Sequence, residues 1–378
     1  KIKISMIPRK LQSILEKVLF SNKAIIILGA RQVGKTTLLK NVIINKQDII
    51  WLNADEIAVR TMFENASSER FKTLFGNAKI IIIDEAQRIE SIGIKLKLFT
   101  DTMPHLQVIA TGSSAFELAN KINEPLTGRK WEYTMYPISF AEMVDHHGLI
   151  TELQSLETRL IYGYYPEVIN SKGNEKKILH QLTDSYLYKD ILEWERIKKP
   201  EKLLKLLQAL AFQIGNEVSL NELSQIVEID KNTVEKYITL LEQIHVIFKL
   251  QSLSRNARNE LKASRKIYFY DNGIRNALIT NFSLPEQRQD IGALWENFII
   301  SERKKYIQYN ELWVQHWFWR TTAQQEIDFI EEADGVITGY EFKWNPKTHV
   351  SFSKTFTNSY PNSNTKVIHR DNFFEFLL

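Results

Sequence analysis

Ala24-Ile-Ile-Ile-Leu28, followed directly by Gly29-Ala-Arg-Gln-Val-Gly34-Lys35-Thr36, is the stretch of sequence that decides the fold of the first part of the chain. The second part fits the pattern GxxxxGK[ST], in which glycines allow backbone N–H groups to turn toward phosphates. An apolar strand leads into this loop and a helix-compatible segment, residues 36–42, follows it, so that a helix N-terminus adds positive dipole. The motif and its setting together predict a phosphate-binding loop. The alternative is a glycine-rich turn that binds nothing.

Within this loop, Lys35 is expected to reach the β- and γ-phosphates, and the Thr36 hydroxyl is expected to ligate Mg²⁺. The loop backbone and the first helical turn would supply most of the remaining contacts, and polar residues at the ends of later strands would complete the site. The residues predicted to bind ATP are Gly29, Ala30, Arg31, Gln32, Val33, Gly34, Lys35, Thr36, Thr37, Asp84, Thr111 and Ser113.

A second strand supports this interpretation. Residues 79–83 form a continuous apolar run, which is typical of a strand buried on both faces of a parallel sheet, and Asp84-Glu85-Ala-Gln87 follows it. Ligands bind at the carboxyl ends of such strands. Asp84 is therefore expected to hold Mg²⁺ through water, and Glu85 to polarise the attacking water. The alternative is a strand that ends in solvated acids.

A third apolar strand, residues 106–110, ends in Thr111-Gly-Ser-Ser114. Thr111, Ser113 and Ser114 are each eligible to contact the γ-phosphate or the lytic water, although a serine here is equally suited to cap a helix over residues 115–121. Arg129 precedes a strand predicted at 131–136. It is either an arginine finger, supplied within the chain or to a neighbouring subunit of a homo-oligomer, or a surface arginine.

Length and composition set broad limits. The 378 residues suggest two to four domains, and 44% hydrophobic with 25% charged residues is typical of a globular protein. The absence of cysteine excludes disulfides and thiolate metal sites and favours a reducing compartment. No signal-peptide core or membrane-spanning stretch is evident, so we expect a cytoplasmic protein without a membrane partner. The net charge of +4 is too small to indicate nucleic-acid binding by itself.

The order of elements predicts an α/β protein with four domains. Strands alternate with helices over residues 1–150, which predicts a parallel sheet and an AAA-type P-loop ATPase core. Residues 151–200 are predicted to form a helical lid. Residues 201–270 are predicted to form a winged helix, from helices at 219–227 and 230–243 and strands at 246–250 and 266–270. Residues 271–378 are predicted to form a C-terminal α/β restriction-endonuclease-like domain.

The predicted winged helix carries an excess of basic residues, which suits contacts with the phosphates of a nucleic acid. A winged helix used for protein contacts, or a solvated basic loop, would show the same charge. On the hairpin, one acid, Glu260, accompanies Arg255, Arg258, Lys262, Arg265 and Lys266, and the predicted recognition helix carries Lys231, Asn232, Thr233 and Lys236.

The C-terminal domain contains a second group of candidate catalytic residues. Side chains alternate along a strand, so Glu341 and Lys343 are expected on one face, where Asp328 of the neighbouring strand can meet them. With Glu296 from a helix, Asp328 and Glu341 would make an oxygen-rich Mg²⁺ site, and Lys343 would orient the nucleophile or neutralise charge. This is the arrangement of PD-(D/E)xK nucleases. Solvated salt-bridge partners on a hairpin are the alternative.

Taken together, these residues resemble a large prokaryotic family of AAA-type ATPases, which join an AAA core to a C-terminal domain that looks nuclease-like. The resemblance implies ATP and Mg²⁺ binding by Lys35, Thr36 and Asp84, water activation by Glu85, and Arg129 as the finger. It rests on Gly29-Ala-Arg-Gln-Val-Gly-Lys-Thr-Thr37, Asp84-Glu-Ala-Gln87, Thr111-Gly-Ser-Ser114, Thr127-Gly-Arg129, Tyr136-Pro-Ile-Ser-Phe140, Tyr164-Tyr-Pro166, Lys266-Ile-Tyr-Phe-Tyr-Asp271, Trp295-Glu-Asn-Phe298, Trp319-Arg-Thr321, Glu326-Ile-Asp-Phe329 and Glu341-Phe-Lys343.

Three functions follow as hypotheses. The first is a Mg²⁺-dependent ATPase whose nucleotide state repositions a DNA-binding winged helix and a nuclease-like domain. The second is an ATP-controlled conformational switch with an inert nuclease-like domain, and the third is a DNA-binding regulator. DNA and RNA are both open as the nucleic-acid partner.

Overall fold

The computed structural model describes residues 6–64, 67–113, 126–184, 200–254 and 264–378. These residues form two compact units. The first contains the described residues from 6 to 137 together with Gln243–His245. The second contains the described residues from 138 to 242 and from 246 to 378.

The first unit alternates strands and helices, as the sequence predicts. Its strands are β1 (Ala24–Leu28), β2 (Ile49–Asn53), β3 (Ile80–Asp84), β4 (Gln107–Gly112) and β5 (Lys130–Thr134). Its helices are α1 (Lys10–Val18), α2 (Lys35–Val42), α3 (Ile57–Met62), α4 (Ser68–Phe75) and α5 (Ile92–Thr102), with a 3₁₀ turn at Ala86–Arg88.

The five strands form one parallel sheet in the order β2-β3-β4-β1-β5. Strand β1 and residues 80–83 of β3 are fully buried, which is why their sequences are continuous apolar runs rather than alternating ones. Strand β4 lies between them. The carboxyl ends of β1, β3 and β4 therefore meet at one edge of the sheet, which is where the loop after β1 and the acids after β3 are placed.

One face of this sheet packs against an aromatic cluster that includes Phe63, Phe71, Phe75 and Phe99. The rings of Phe71 and Phe99 stack with centroids 4.4 Å apart and an interplanar angle of 11°. Burial of these large apolar groups, each of which contributes about 2–3 kcal/mol, fixes the helices against the strands.

The second unit begins with short helices and continues with three helices and a hairpin. Helices α6 (Phe140–His147), α7 (Leu149–Gln154), α8 (Leu156–Tyr162) and α9 (Pro166–Asn170) come first, and residues 175–184 are helical as α10. Then come α11 (Pro200–Phe212), α12 (Leu220–Val227) and α13 (Lys231–Gln243), followed by the antiparallel pair β6 (Ile247–Gln251) and β7 (Arg265–Phe269). Ser219 caps α12 by accepting from the Glu222 N–H.

The C-terminal part of this unit packs one long helix on a mixed sheet. Its helices are α14 (Asn272–Leu278), α15 (Ile291–Tyr309), α16 (Lys354–Ser359) and α17 (Phe373–Leu377), with a 3₁₀ turn at Pro285–Gln287. The strands are β8 (Gln315–Arg320), β9 (Glu326–Ala333), β10 (Val336–Lys343) and β11 (Asn364–His369), in the order β11-β10-β9-β8. Strands β10 and β11 are parallel, and the other two pairs are antiparallel.

Some predictions fall outside the described residues. These are Ser114, the helix at 115–121, the end of the helical lid at 185–199, and Arg255, Arg258, Glu260 and Lys262 of the hairpin. The domain boundaries at 150, 200 and 270 stay predictions. Among the helices that the structure describes, none combines the length and apolar character needed to cross a bilayer.

Candidate functional site

The loop between β1 and α2 has a backbone that its two glycines make feasible. Gly29 has φ +151°, and a Cβ at this position would lie 2.2 Å from the carbonyl oxygen of Met135. Gly34 has φ +99° and is the residue from which α2 begins. An L side chain would be strained at both positions, and at Gly29 it would also collide with backbone. These glycines therefore shape a loop that leads into a helix N-terminus.

Lys35 is the first residue of α2, and its side chain folds back along the loop. Its ammonium donates to the carbonyl oxygens of Gly29 at 2.6 Å and Ala30 at 2.8 Å, and the residue is 7% exposed. The loop thus holds a buried cation at the N-terminus of a helix, where anions bind. Contact of Lys35 with the β- and γ-phosphates stays a prediction.

Two oxygen ligands predicted for Mg²⁺ lie side by side. The Thr36 hydroxyl donates to Asp84 Oδ2 over 3.1 Å, and the Thr111 hydroxyl donates to the other carboxylate oxygen, Oδ1. Thr36 is the second residue of α2, whereas Asp84 and Thr111 lie at the carboxyl ends of adjacent parallel strands, so three separate elements bring these groups together. Carboxylate and hydroxyl oxygens are the ligand types that Mg²⁺ prefers. The residues present therefore fit a Mg²⁺–nucleotide complex.

Glu85 lies next to this group in an unusual backbone conformation. Its φ of +53° is in the left-handed region, which costs about 1–3 kcal/mol for a residue other than glycine and is often found at functional sites. Its N–H donates to the Thr111 hydroxyl over 3.3 Å, and its carboxylate accepts from Gln87 Nε2 over 2.6 Å. Gln87 Nε2 is also 3.2 Å from the Ser113 hydroxyl. Glu85 and Ser113 are thus joined to the predicted site, and Gln87 is a contributor for which no role was predicted.

Arg9 is a second residue that the sequence did not single out. It is the residue before the first turn of α1, and its guanidinium donates to the carbonyl oxygens of Val33 and Tyr136, both at 2.7 Å. One arm therefore contacts the phosphate-binding loop and the other contacts the chain beyond β5. The forked geometry of arginine suits such a two-carbonyl clamp. The residues around Arg9 do not indicate these contacts, because the partners of Arg9 are 24 and 127 positions away in the sequence.

The structure does not bring Arg129 to this site within the same chain. Its carbonyl oxygen accepts from the Ala24 N–H, at the start of β1, whereas the loop follows the other end of that strand. With about 3.3 Å of rise per residue, the two ends of β1 are roughly 13 Å apart. The Arg129 side chain pairs with Asp101 at 2.6 Å. A finger supplied to its own loop does not fit this position, and a role in trans stays a prediction.

In the second unit, Asp328, Glu341 and Lys343 meet on one face of the mixed sheet, as predicted. Tyr340 pairs with Phe329, which puts Glu341 beside Asp328. The Lys343 ammonium lies 2.7 Å from Glu341 Oε2 and 3.4 Å from Asp328 Oδ2. The Asp328 carboxylate also accepts from the Phe342 N–H over 2.8 Å. The three side chains are therefore held by the register of two strands and by each other.

Glu296 of α15 joins this cluster, but its immediate partners come from the hairpin. Its carboxylate oxygen Oε1 is 3.1 Å from the Lys266 ammonium and accepts from the Tyr268 hydroxyl at 2.5 Å. Lys266 is 1% exposed and also pairs with Glu326. The sequence predicted Lys266 as a phosphate contact on a wing, and this is wrong, because the ammonium is buried among carboxylates.

The electrostatics of this carboxylate cluster are those of crowded acids. Burial raises the pKa of Glu296 to about 7, with Asp328 adding to the rise and Lys266 opposing it. Burial likewise raises the pKa of Glu341 to about 7, and the neighbouring Asp328 adds to it. Burial disfavours the charge of Lys343, yet Asp328 and Glu341 outweigh it and raise the pKa of that lysine. Burial, together with repulsion from Asp328, therefore outweighs the pairing of Glu296 with Lys266 and of Glu341 with Lys343 in setting these pKa values.

The predicted metal ligands of this cluster are divided between the two lysines. Lys266 holds Glu296, whereas Lys343 holds Asp328 and Glu341. Across the described residues, no group of three or more His, Cys, Asp or Glu side chains is placed to hold a metal ion. Metal binding by Glu296, Asp328 and Glu341 therefore stays a prediction.

Two of the basic residues predicted on the hairpin, Arg265 and Lys266, lie in the described part of the chain, and both are paired with carboxylates. Arg265 pairs with Glu235 of α13 at 2.9 Å, and Lys266 is buried, so neither is a free cation on a wing. On α13 itself, Lys231, Asn232 and Lys236 are exposed. The other three basic residues of the hairpin are outside the described part of the chain.

Three family models match separate parts of the sequence. Residues 21–144 match the model described as "AAA domain". Residues 153–285 match "Domain of unknown function (DUF8612)", and residues 291–374 match "Domain of unknown function (DUF4143)". The first match coincides with the P-loop site, and the third contains Glu296, Asp328, Glu341 and Lys343.

Among curated relatives, an uncharacterized protein of Mycobacterium tuberculosis is 25% identical over 338 residues, which is 87% of this chain and 72% of the relative. An uncharacterized protein of Haemophilus influenzae is 27% identical over 214 residues, or 52% of each chain. Among solved structures, the Walker-type ATPase PABY2304 of Pyrococcus abyssi superposes with a TM-score of 0.51 at 15% identity, covering 73% of this chain and 97% of that one. That likeness concerns the fold.

The parallel sheet, the loop after β1 and the acids after β3, together with the family match, define an AAA-type P-loop domain over residues 21–144. Beyond this domain, the fold resembles that of the Walker-type ATPase PABY2304 over 73% of the chain.

Proposed function

We propose that this protein binds ATP with Mg²⁺ and hydrolyses it at the loop between β1 and α2. The observation that carries this proposal is the joining of Thr36, Asp84, Thr111 and Glu85 through direct hydrogen bonds at one edge of the sheet. A structural turn has no need for a threonine–aspartate pair, a strained glutamate and a buried lysine in the same place.

Each residue has a distinct task in this proposal. The loop N–H groups and the N-terminus of α2 bind the phosphates, and Lys35 exchanges its carbonyl contacts for the β- and γ-phosphate oxygens. Thr36 would ligate Mg²⁺ directly and Asp84 would hold it through water, and the bound ion would supply positive charge beside the phosphates. Glu85 orients the attacking water, and Gln87 and Thr111 hold Glu85 in position.

ATP turnover by purified protein tests this proposal. Lys35→Ala should abolish nucleotide binding, whereas Glu85→Gln should retain binding and lose hydrolysis. Lys40→Ala is the matched control, since Lys40 is an exposed lysine in the last turn of the same helix. Turnover that Lys35→Ala leaves at the wild-type rate would sink the ATPase assignment.

We further propose that the nucleotide state acts on a nucleic acid through the second unit. Three features support this: the α11–α13 helices with the β6–β7 hairpin have the element order of a winged helix, α13 exposes Lys231, Asn232 and Lys236, and Asp328, Glu341 and Lys343 converge as in PD-(D/E)xK nucleases. Phosphate contacts release counterions, so binding should weaken steeply with salt.

Labelled DNA and RNA separate the parts of this second proposal. Cleavage is measured with Mg²⁺ or Mn²⁺, with and without ATP, for wild type, Asp328→Ala and Lys35→Ala. Cleavage that Asp328→Ala removes identifies a nuclease, and the effect of Lys35→Ala shows whether ATP controls it. A flat salt dependence of binding would count against nucleic acid as the partner.

One observation favours a second candidate function, an ATP-controlled switch with an inert nuclease-like domain. Lys266 already satisfies Glu296 and Glu326 in a buried site, as a structural ion pair would. This candidate predicts no cleavage of either nucleic acid, together with affinity for a partner that depends on the bound nucleotide.

A further inference from the structure

We propose that Lys266 is the resident cation of the carboxylate cluster and that it competes with a divalent metal ion for Glu296 and Asp328. This inference rests on the nuclease-like part of the proposed function and is independent of ATP hydrolysis. Lys266 belongs to the hairpin and lies outside residues 291–374, which the C-terminal family model matches. The proposal makes this residue a determinant of metal binding by residues within that match.

Contacts to Lys266 come from both sides of the cluster. Its ammonium is 3.1 Å from Glu296 Oε1 on α15 and pairs directly with Glu326 on β9. Glu326 and Asp328 are two residues apart on that strand and share a face, so Asp328 also acts on the Lys266 charge. The ring of Phe318 lies below the ammonium at 5.4 Å. A single positive charge therefore serves three carboxylates.

The burial of Lys266 shows how strongly this position is held. A lysine that is 1% exposed has lost its hydration, and such a charge persists in a protein only when it is paired and hydrogen-bonded. Tyr268, two residues further along β7, donates to the same oxygen of Glu296. The hairpin thus contributes both an ammonium and a hydroxyl to Glu296, which leaves that carboxylate with partners other than a metal.

The remaining charge of the cluster explains why a metal would still be attracted. Arg320 lies 3.4 Å from Glu326 and 3.4 Å from Glu217, and Lys343 serves Asp328 and Glu341. The carboxylates outnumber the cations, five to three, among the residues that these contacts join: Glu217, Glu296, Glu326, Asp328 and Glu341 against Lys266, Arg320 and Lys343. A divalent cation would gain from this excess, but the fixed ammonium of Lys266 repels it.

The test is a titration of the full chain with Mn²⁺ alone, measured by isothermal titration calorimetry. Lys266→Met, which keeps most of the length of the side chain and removes the charge, should bind Mn²⁺ at least tenfold more tightly than wild type. Adding Asp328→Ala should abolish that gain and so assign it to this cluster. Lys305→Met is the matched control, because Lys305 is equally buried at 1% exposure and pairs with Glu302 instead.

An affinity of folded Lys266→Met that is equal to or weaker than that of wild type would overturn the proposal. Since this variant leaves Glu296 and Glu326 without their shared cation, it is paired with Lys266→Met/Glu326→Gln, which removes one of the two stranded charges and carries the same expectation. ATP turnover of each variant is measured in parallel. An absence of ATP turnover in wild type would contradict the proposed ATPase function. A Mn²⁺ affinity that Lys266→Met leaves unchanged would contradict only the proposal for Lys266.

Discussion

The side-chain amide of Gln87 donates to the carboxylate of Glu85 over 2.6 Å. Both residues belong to one turn, in which Glu85 has a left-handed backbone. The same amide is 3.2 Å from the Ser113 hydroxyl, and Gln87 is 4% exposed. A buried amide between a carboxylate and a hydroxyl restricts the carboxylate to one orientation. Gln87 is therefore a positioning residue for the group proposed to orient water.

The first prediction concerns Gln87→Ala. The carboxylate of Glu85 would lose its fixed orientation, so kcat for ATP hydrolysis should fall about tenfold, in keeping with the loss of positioning at a general base. The KM for ATP should change little, because the amide of Gln87 holds the carboxylate of Glu85, which is proposed to orient water rather than to bind phosphate. Steady-state turnover measures both constants. Gln12→Ala is the control, since Gln12 bonds to a glutamate, Glu16, on an exposed helix surface. A kcat equal to that of wild type would remove Gln87 from the site.

The second prediction concerns Arg9, which holds the carbonyl oxygens of Val33 and Tyr136. In Arg9→Ala the loop loses two charge-assisted hydrogen bonds, each of which contributes about 1.5–3 kcal/mol. The loop should then sample other conformations, and the KM for ATP should rise about tenfold or more. Binding of a fluorescent ATP analogue reports the affinity. Lys17→Ala, an exposed cation on the same helix, should bind as wild type does; equal loss in both variants would point to net charge rather than the clamp.

The P-loop half of the candidate site could be predicted from the sequence because its signals are local. Ala24–Leu28 and residues 80–83 are apolar throughout; the loop that contains Lys35 directly follows the first run, and Asp84 and Glu85 directly follow the second. A parallel sheet places the carboxyl ends of such strands at one edge, so the closeness of Lys35 and Asp84 follows from the topology. Glu341 and Lys343 were predictable for a similar reason, since two residues on one strand share a face.

Arg9 and Lys266 were not predictable, and the reason is physical. Their partners are distant in sequence, and a lysine in a basic stretch gives no sign that it is buried rather than solvated. Lys266 stands beside Arg265, yet side chains alternate along β7, so the first pairs with Glu296 inside the unit and the second with Glu235 at its surface. Without the register of the strand, the two residues look alike.

The third prediction concerns Arg129, which lies at the opposite end of the sheet from the loop and pairs with Asp101. That exposed ion pair contributes at most about 1 kcal/mol, so Arg129→Ala should fold normally. At dilute concentration its turnover per chain should match wild type. If a neighbouring subunit uses Arg129, the turnover per chain of wild type should rise with protein concentration, whereas that of Arg129→Ala should stay constant. Sedimentation is used to find conditions in which wild type and Arg129→Ala are both monomeric. Loss of turnover in Arg129→Ala under those conditions would contradict the placement of Arg129 away from the loop of its own chain.

The fourth prediction concerns His316 on β8. Burial, aided by the nearby charge of Lys304, lowers the pKa of this histidine to about 4, and its ring stacks on Phe329 with centroids 5.9 Å apart. Among the described residues its Nδ1 is buried without a hydrogen-bond partner. The folded protein therefore prefers the neutral ring, whereas an unfolded histidine titrates near 6.5.

The sign of the pH effect follows from these two values. Between about pH 4 and 6.5 the unfolded chain binds the proton more readily, so the free energy of unfolding should rise with pH. The contribution of His316 is complete above pH 6.5 and is lost as the pH falls toward 4, with a size of up to about 3 kcal/mol. His316→Phe keeps a ring against Phe329 and removes the titration, so its stability should depend less on pH across this interval.

Urea unfolding followed by tryptophan fluorescence at pH 4.5 and 7.0 measures the difference, since Trp317 and Trp319 lie on the same strand. Carboxylates titrate over the same range in both proteins, so the comparison between wild type and His316→Phe isolates the histidine. His349→Phe is the control, because His349 is exposed, and it should retain the wild-type pH dependence. Parallel pH dependences in wild type and His316→Phe would mean that the ring at position 316 accepts a proton as readily in the folded protein as in the unfolded chain.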